Sequence, residues 1–224
     1  VPPPEFIPKL HKICKHRGIS LVVDEVKVGF GRTGKFFAIE HSNVTPDVIS
    51  MAKPMDSRLP LSAVVGRGEI MDAAIAAHLF TSSAHPVSCV ASLATINIIL
   101  RDKIHERAAR VGDYILKRLN EIREKHQLIG DVRGKGMILG AELVKDPKAK
   151  TPATFEAACL VYRAFELGLL VTYVGTYSNV IEITPPLTVS SEDVEKALEI
   201  FEKAVDDLEK DRIDKEKVRR FAGW

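Results

Sequence analysis

The sequence predicts an α/β domain with a mostly parallel sheet, followed by a small α+β domain. The first observation is a set of short apolar runs without polar alternation, which is the pattern of strands buried on both faces of a sheet. These runs lie at residues 20–24, 47–52 and 61–66. The second observation is the stretch after residue 86, where longer helical patterns surround a second group of strand-like runs. We therefore expect two domains, residues 1–100 and 101–224.

Each expected element has its own local signal. An amphipathic helix is predicted at residues 6–17, with Gly18 as its cap. Pro86 suits the first position of a helix that reaches about residue 100, and a further helix reaches about residue 125. The glycines at residues 130–136 predict a turn. The remaining expected elements are strands at 137–144, 169–174 and 180–184, a helix at 155–167, a helix that starts at Ser190 or Ser191, and a mixed-charge, solvent-exposed helix at 203–220.

Composition argues against several classes of function. The 224 residues carry a net charge of +2, which argues against binding nucleic acid or a membrane surface through bulk charge. No apolar stretch is long enough for a transmembrane helix, and the opening residues lack the features of a signal peptide. Three widely separated cysteines predict neither a disulfide framework nor a metal site, and favour the cytoplasm. The prolines at residues 2–4 are typical of a loop, either inside a truncated fold or in a terminal arm.

Two residues that follow strand-like runs carry candidate chemistry. Asp24 ends the first run and Lys53 follows the second, with enough chain between them for a parallel crossover. Ligands of open parallel sheets bind beyond the carboxyl ends of the strands. A lysine there can form a Schiff base with the aldehyde of pyridoxal 5′-phosphate (PLP), and a carboxylate can keep the pyridine nitrogen protonated. Taken alone, such a pair is more often two solvated side chains.

The surrounding sequence resembles the class III aminotransferases, PLP enzymes of fold type I that include ornithine and 4-aminobutyrate aminotransferases. The resemblance begins with Asp-Glu-Val-Lys-Val-Gly-Phe-Gly-Arg-Thr-Gly at residues 24–34. Further matching blocks follow in family order at residues 37–41, 46–49, 52–53, 59–64, 86, 130–136 and 185–187. The resemblance covers nearly the whole chain. It implies part of a fold type I PLP-binding domain at residues 1–100 and the small C-terminal domain at 101–224.

The resemblance also implies PLP as the cofactor and gives roles to four residues. Asp24 would pair with the pyridine nitrogen, and Val26 would pack on one face of the ring. Lys53 would be the catalytic residue, holding PLP as a Schiff base and moving the proton at the substrate α-carbon. Thr81 would reach the cofactor phosphate of the neighbouring subunit, which implies a homodimer or a larger homo-oligomer. A plain position in the approach to a helix is the alternative for Thr81.

The chain departs from the family in three ways. Family members are substantially longer, and the amino-terminal half that carries the phosphate-binding loop and a ring-stacking aromatic residue is absent. Residues 54–58 read Pro-Met-Asp-Ser-Arg where glycines usually follow the lysine, so this loop must take another path. Glu182 stands where many of the aminotransferases have an arginine that binds the substrate carboxylate, and Arg58 or Arg32 are the candidate substitutes.

Three functions remain open from the sequence. The first is an aminotransferase that moves an amino group from an amino acid or ω-amine to a 2-oxo acid. The second is an amino-acid racemase or epimerase, favoured by Glu182 and by Lys27-Val28, which resembles the racemases of the same family. The third is a catalytically silent fragment that serves only as a folded or partner-binding domain. The expected partners are small amino acids and 2-oxo acids, a second copy of the chain, and a separate amino-terminal half.

Overall fold

The computed structural model describes residues 1–55, 59–76, 80–81 and 83–220. The chain divides into two compact units, Val1–Ala109 and Arg110–Trp224. The division therefore falls inside a helix, somewhat later than the boundary expected at residue 100. Among the helices of the described residues, none is long and apolar enough to cross a membrane.

The first unit contains a three-stranded sheet in the order β1-β2-β3. Strands β1 (Val22–Asp24) and β2 (Val48–Met51) are parallel, and β3 (Ala63–Gly66) runs antiparallel to β2. The predicted α/β class is confirmed. The described part of this sheet has one parallel and one antiparallel pair.

Among the described residues, four α-helices lie wholly or partly in this unit. They are α1 (Phe6–His16), α2 (Gly68–Met71), α3 (Pro86–Arg101) and α4 (Ile104–Lys125), the last of which continues past residue 109. Gly18 follows α1 with a φ of 64°, a left-handed conformation that glycine adopts without strain. Pro86 is the first residue of α3, as predicted, because a helix N-terminus does not need its missing N–H.

The core of the first unit includes the loop that joins β1 to β2. Phe30, Met51, Met55 and Ile99 are buried together, and Phe36 and Phe37 pack against them. The three aromatic rings form a tilted and edge-on cluster with centroids 4.9 to 5.9 Å apart. The loop is therefore folded into the core and does not run free over the surface.

The second unit is an antiparallel sheet packed by helices, which is the expected α+β arrangement. Its strand order is β4-β5-β7-β6. The elements are β4 (Ile129–Lys135), β5 (Ile138–Leu143), α5 (Thr154–Glu166), β6 (Thr172–Val174), β7 (Val180–Ile183), α6 (Ser191–Glu209) and α7 (Lys215–Arg219). Ser190 caps α6 as predicted, because its hydroxyl accepts the Asp193 N–H at 3.0 Å. Alternate residues of the strands, such as Leu139 and Ile181, enter the core.

Two expectations in this unit were wrong. Residues 130–136 form most of β4 and the start of its hairpin; they are not an isolated turn. The glycines permit close strand approach, since a Cβ on Gly134 would lie 2.5 Å from the Ile138 carbonyl oxygen. Residues 203–220 are not one exposed helix, because α6 ends at Glu209 and Ile213 is buried before α7 begins.

Candidate active site

The parallel pairing brings the carboxyl ends of β1 and β2 to one edge of the sheet. Asp24 is the last residue of β1 and lies opposite Ser50 of β2. Lys53 follows Met51, the end of β2, by two residues. Asp24 and Lys53 therefore leave the sheet from the same edge, where ligands of parallel strands bind. The length of the crossover predicted this proximity, whereas the roles of the two residues remain predictions.

Asp24 starts a tight turn that also places Val26. The Asp24 side chain is exposed, and its Oδ1 accepts the Val26 N–H at 2.8 Å. This is the local bond by which an aspartate fixes the backbone two residues on. Val26 is half-buried, so an apolar surface lies beside an accessible carboxylate.

Lys53 has a backbone conformation that is unusual for its position. Its φ is +38°, in a region disfavoured for residues with a Cβ and for a residue that precedes proline, here Pro54. It opens a short 3-10 helix, Lys53–Met55, in which the Met55 N–H donates to the Ala52 carbonyl at 3.0 Å. Backbone strain of this kind concentrates at functional sites and persists only where the surroundings enforce it.

Glu25 is a residue of this site that sequence reasoning missed. It is fully buried, and its Oε1 and Oε2 accept the Ile39 and Ala38 N–H groups at 2.8 and 3.0 Å. Burial raises the pKa of Glu25 above its ordinary value, opposed by the bonds from Ala38 and Ile39. No sequence signal distinguishes it from an exposed acidic neighbour of Asp24.

The glycine-rich loop after Glu25 is held in a compact form. Gly34 has a φ of 94°, and a Cβ there would lie 2.9 Å from the Ala109 Cβ. Phe30 is almost fully buried although its φ is 57°, a conformation that is rare for an aromatic residue. The glycines that carried the family resemblance thus allow the chain to pass close to α4.

The remaining candidate residues of the first unit lie around this core. Thr81 is exposed in a turn ahead of α3, next to residues that the structure does not describe. Arg32 is half-buried in the loop after Glu25. Arg58, the other candidate for binding a substrate carboxylate, lies outside the described residues, as does the rest of the segment 56–58.

Glu182 lies on β7, in the second unit. Its neighbour Ile181 faces the core, so the alternation of the strand directs Glu182 to the opposite face. Across the sheet it lies opposite Gly140 of β5 and Thr172 of β6. The basic residue of this row is Arg133, opposite Gly140, and its Nη1 lies 2.6 Å from carboxylate oxygens of both Asp131 and Glu142. The strand thus carries a glutamate at the position where the resemblance predicts an arginine, and Arg133 already has two acidic partners.

Comparison with known protein families identifies the chain. The sequence profile described as Aminotransferase class-III matches residues 1–205. The chain belongs to the class III aminotransferase family. The matched range includes Asp24, Glu25 and Lys53.

Both racemases and aminotransferases of the class III family are similar to the chain. A leucine/methionine racemase of Thermococcus litoralis is 45% identical over 100% of this chain and 50% of the relative. An alanine/serine racemase of Pyrococcus horikoshii is 45% identical over 97% of the chain and 46% of the relative. An alanine–glyoxylate aminotransferase 2 homologue of Arabidopsis thaliana is 40% identical over 89% and 42%. The chain therefore spans about half the length of these relatives.

Solved structures of transaminases have the same fold. A transaminase from the marine bacterium Virgibacillus superposes with a TM-score of 0.88 at 31% identity, covering 94% of this chain and 50% of that one. An amine transaminase from an uncultivated Pseudomonas species, solved with PLP bound, has a TM-score of 0.85 at 30% identity over 92% and 48%. The class III family and this PLP-bound neighbour imply PLP as the cofactor.

The residues at the sheet edge fit PLP. An exposed carboxylate at Asp24 suits a protonated ring nitrogen, and a half-buried aliphatic side chain at Val26 suits the face of a ring. The primary amine of Lys53 is exposed at the same edge and can react with an aldehyde. The chemistry of these three residues is therefore compatible with PLP.

Proposed function

We propose that the chain carries the cofactor-anchoring part of a PLP-dependent enzyme that acts at the α-carbon of amino acids. The observation that carries this proposal is the placement of Asp24 and Lys53 at the adjacent carboxyl ends of β1 and β2. When bound, PLP would supply an aldehyde for amines and an electron-accepting ring that acidifies the α-carbon.

Each site residue has a separate task in this proposal. The Asp24 carboxylate holds the proton on the pyridine nitrogen, and the bond from the Val26 N–H keeps the carboxylate oriented. Val26 packs on the ring and excludes water from it. The amine of Lys53 would anchor the cofactor and would remove and return the proton on the substrate α-carbon. Thr81 binds the phosphate in the neighbouring subunit of a homodimer.

Among reactions that begin in this way, we favour racemisation or epimerisation of neutral amino acids over transamination. Glu182 stands where many aminotransferases of the family have a carboxylate-binding arginine, and a carboxylate cannot bind another carboxylate as an arginine does. The two racemases at 45% identity support the same choice. This order reverses the one that the sequence alone suggested. The names of these relatives support neutral amino acids such as alanine, serine, leucine and methionine as the substrate class in this proposal.

Transamination is the second candidate, supported by the aminotransferase at 40% identity and by the transaminase structures. The two reactions differ in their need for a 2-oxo acid. We would incubate the PLP-loaded protein with L-leucine or L-methionine in D₂O, with and without pyruvate. The proposal expects the D-enantiomer, labelled at the α-carbon, in the absence of pyruvate. Product that forms only with pyruvate, together with a new 2-oxo acid, would establish transamination.

We further propose that a polypeptide equivalent to the amino-terminal half of the relatives completes the enzyme. Strand β1 is an outer strand of the described sheet, with a neighbour on one side only, and its Val22 is 61% exposed. Val87, Val90 and Leu93 of α3, which we call the α3 stripe, are each at least 60% exposed and recur at a spacing that places them on one helix face. An apolar stripe of this kind normally packs against another element.

Co-expression tests this assembly. The chain would be produced with the amino-terminal half of the Thermococcus litoralis relative, which supplies the length that the chain does not match. We expect the two polypeptides to co-elute and to retain PLP, and Val90→Glu to prevent both. Lys117→Glu, on an exposed side chain of α4, is the control and should change neither. Equal PLP retention by the chain alone would contradict the proposed assembly. Failure of both the chain and the mixture to retain PLP would instead favour the catalytically silent fragment.

A further inference from the structure

Glu25 joins three backbone segments around the candidate site. Its N–H donates to the Ser50 carbonyl of β2 at 2.9 Å, and its carbonyl accepts the Gly29 N–H at 3.1 Å. Its carboxylate accepts the first two amides of the 3-10 helix Ala38–Ser42. The loop from residue 26 to residue 37 is therefore closed at both ends by one residue.

The local geometry leaves this residue little freedom to move. A Cβ on Gly29 would lie 2.9 Å from the Glu25 carbonyl oxygen, so the turn after Glu25 leaves no room for a side chain at residue 29. The side chain has no exposed surface, and both of its oxygens have backbone partners. Such a carboxylate fixes its surroundings, because any rotation would leave the buried Ile39 N–H and the half-buried Ala38 N–H without this partner.

We propose that Glu25 is a positioning residue that holds Asp24 and Val26 in place for PLP. Asp24 and Val26 flank Glu25 in the chain, and the bond between the Asp24 carboxylate and the Val26 N–H spans it. The orientation of Asp24 toward a ring nitrogen therefore depends on the buried anchor between the two residues. This inference rests on the proposed PLP function, because it concerns how the site is held and not whether the site exists.

The test compares two equivalent substitutions on the PLP-loaded protein, assembled with the amino-terminal half. Glu25→Gln keeps the size of the side chain but places an amide donor against a backbone donor. Glu40→Gln is the matched control: Glu40 lies on the same 3-10 helix, and a single acceptor suffices for its bond from the Phe37 N–H at 2.7 Å. We expect Glu25→Gln to weaken PLP binding by about tenfold or more. Glu40→Gln should stay within about twofold of the parent.

A spectroscopic readout separates positioning from general stability. If Asp24 moves, it holds the proton on the ring nitrogen less firmly, so the pH midpoint of the visible absorbance of bound PLP should shift in Glu25→Gln. The midpoint of Glu40→Gln should match that of the parent. An unchanged midpoint in Glu25→Gln, even with weaker binding, would overturn the positioning role.

A second variant covers the case in which Glu25→Gln does not fold. Ala38→Pro removes one N–H donor to Glu25 and leaves the carboxylate in place. The backbone suits it, because Phe37 is extended with φ −114° and ψ 142°, and Ala38 is the first residue of its helix. We expect weaker PLP binding and a midpoint shift in the same direction, both smaller than in Glu25→Gln. Parent-like values in Ala38→Pro would overturn the inference. If the parent binds no PLP in the assembled form, the proposed function fails and this inference fails with it.

Discussion

Asp24 lies directly opposite Ser50 in the parallel ladder of β1 and β2, which places Lys53 three residues beyond the partner of Asp24. This register puts a carboxylate and an amine on one edge of the sheet without any contribution from distant parts of the chain.

Replacing Asp24 by Asn should lower the rate of α-proton exchange in D₂O by on the order of 100-fold, because an amide does not hold a proton on the pyridine nitrogen. The measurement is deuterium incorporation into alanine by the PLP-loaded protein, followed by mass spectrometry. Asp47→Asn is the control, since Asp47 lies at the other end of β2, where it binds the Leu21 N–H and Arg67. An equal decrease in the exchange rate of the Asp24→Asn and Asp47→Asn variants would count against the role of Asp24.

Asp207 should stabilise the second unit in a pH-dependent way. Its side chain is 3% exposed, and the Nε and Nη2 of Arg163 donate to its Oδ2 at 2.9 and 2.8 Å. Burial alone would raise the pKa of Asp207, but the bonds and charges of Arg163 and the other cations lower it below its ordinary value. The stabilisation is therefore complete above the unfolded-state pKa and is lost as the pH falls through the folded-state pKa.

Asp207→Asn should consequently lower the free energy of unfolding by about 2–4 kcal/mol near neutral pH. The difference from the parent should shrink below about pH 4. Urea unfolding at a series of pH values measures it. Asp206→Asn is the neighbouring control. Asp206 pairs with Lys210 at the surface, so this substitution should lower the free energy of unfolding by much less. A difference that stays constant to pH 2.5 would contradict the assigned ion pair.

Several parts of the fold could be predicted from local sequence. Buried strands, the glycine after α1, the proline that begins α3 and the serine that caps α6 each depend on backbone chemistry within a few residues. β4 was missed because its glycines, which permit close approach to Ile138, are the same residues that favour turns. The break between α6 and α7 was missed because it depends on the burial of Ile213 and Val218 against distant residues.

Only some features of the candidate site could be predicted from the sequence. Asp24 and Lys53 could be predicted because each follows an apolar run that forms a parallel strand. The burial of Glu25 could not, since it depends on Ala38 and Ile39 returning to it after a twelve-residue loop, residues 26–37. The left-handed backbone of Lys53 could not be predicted either, because the following Pro54 disfavours it locally and only tertiary packing can enforce it.

Gly112 should be intolerant of a side chain, although it lies in the middle of α4. A Cβ there would lie 2.0 Å from the Gly136 carbonyl oxygen, so the backbone would have to shift. We expect Gly112→Ala to lower the free energy of unfolding by about 1–3 kcal/mol, despite the higher helix propensity of alanine. Gly68→Ala is the control, because the nearest atom to its new Cβ is 3.7 Å away. A melting temperature for Gly112→Ala at or above that of the parent would contradict the close approach.

The three cysteines are free thiols that differ in accessibility. Burial raises the pKa of the Cys159 thiol to about 11, so almost none of it is thiolate near neutral pH. With iodoacetamide at pH 8, we expect the half-buried Cys89 to be alkylated in the folded chain and Cys159 only after unfolding in urea. Peptide mass spectrometry measures both. Alkylation of Cys159 as fast as that of Cys89 would show that the core around α5 is more open than described.

The central claim is that Lys53 is the covalent anchor of PLP. The most direct measurement is borohydride reduction of the PLP-loaded protein, followed by tryptic digestion and mass spectrometry of the lysine-containing peptides. The account predicts a reduced PLP adduct on Lys53 and its absence from Lys53→Ala, while Lys27→Ala, on an exposed lysine of the adjacent loop, retains it. An adduct confined to another lysine, or equal PLP attachment in Lys53→Ala, would contradict the account.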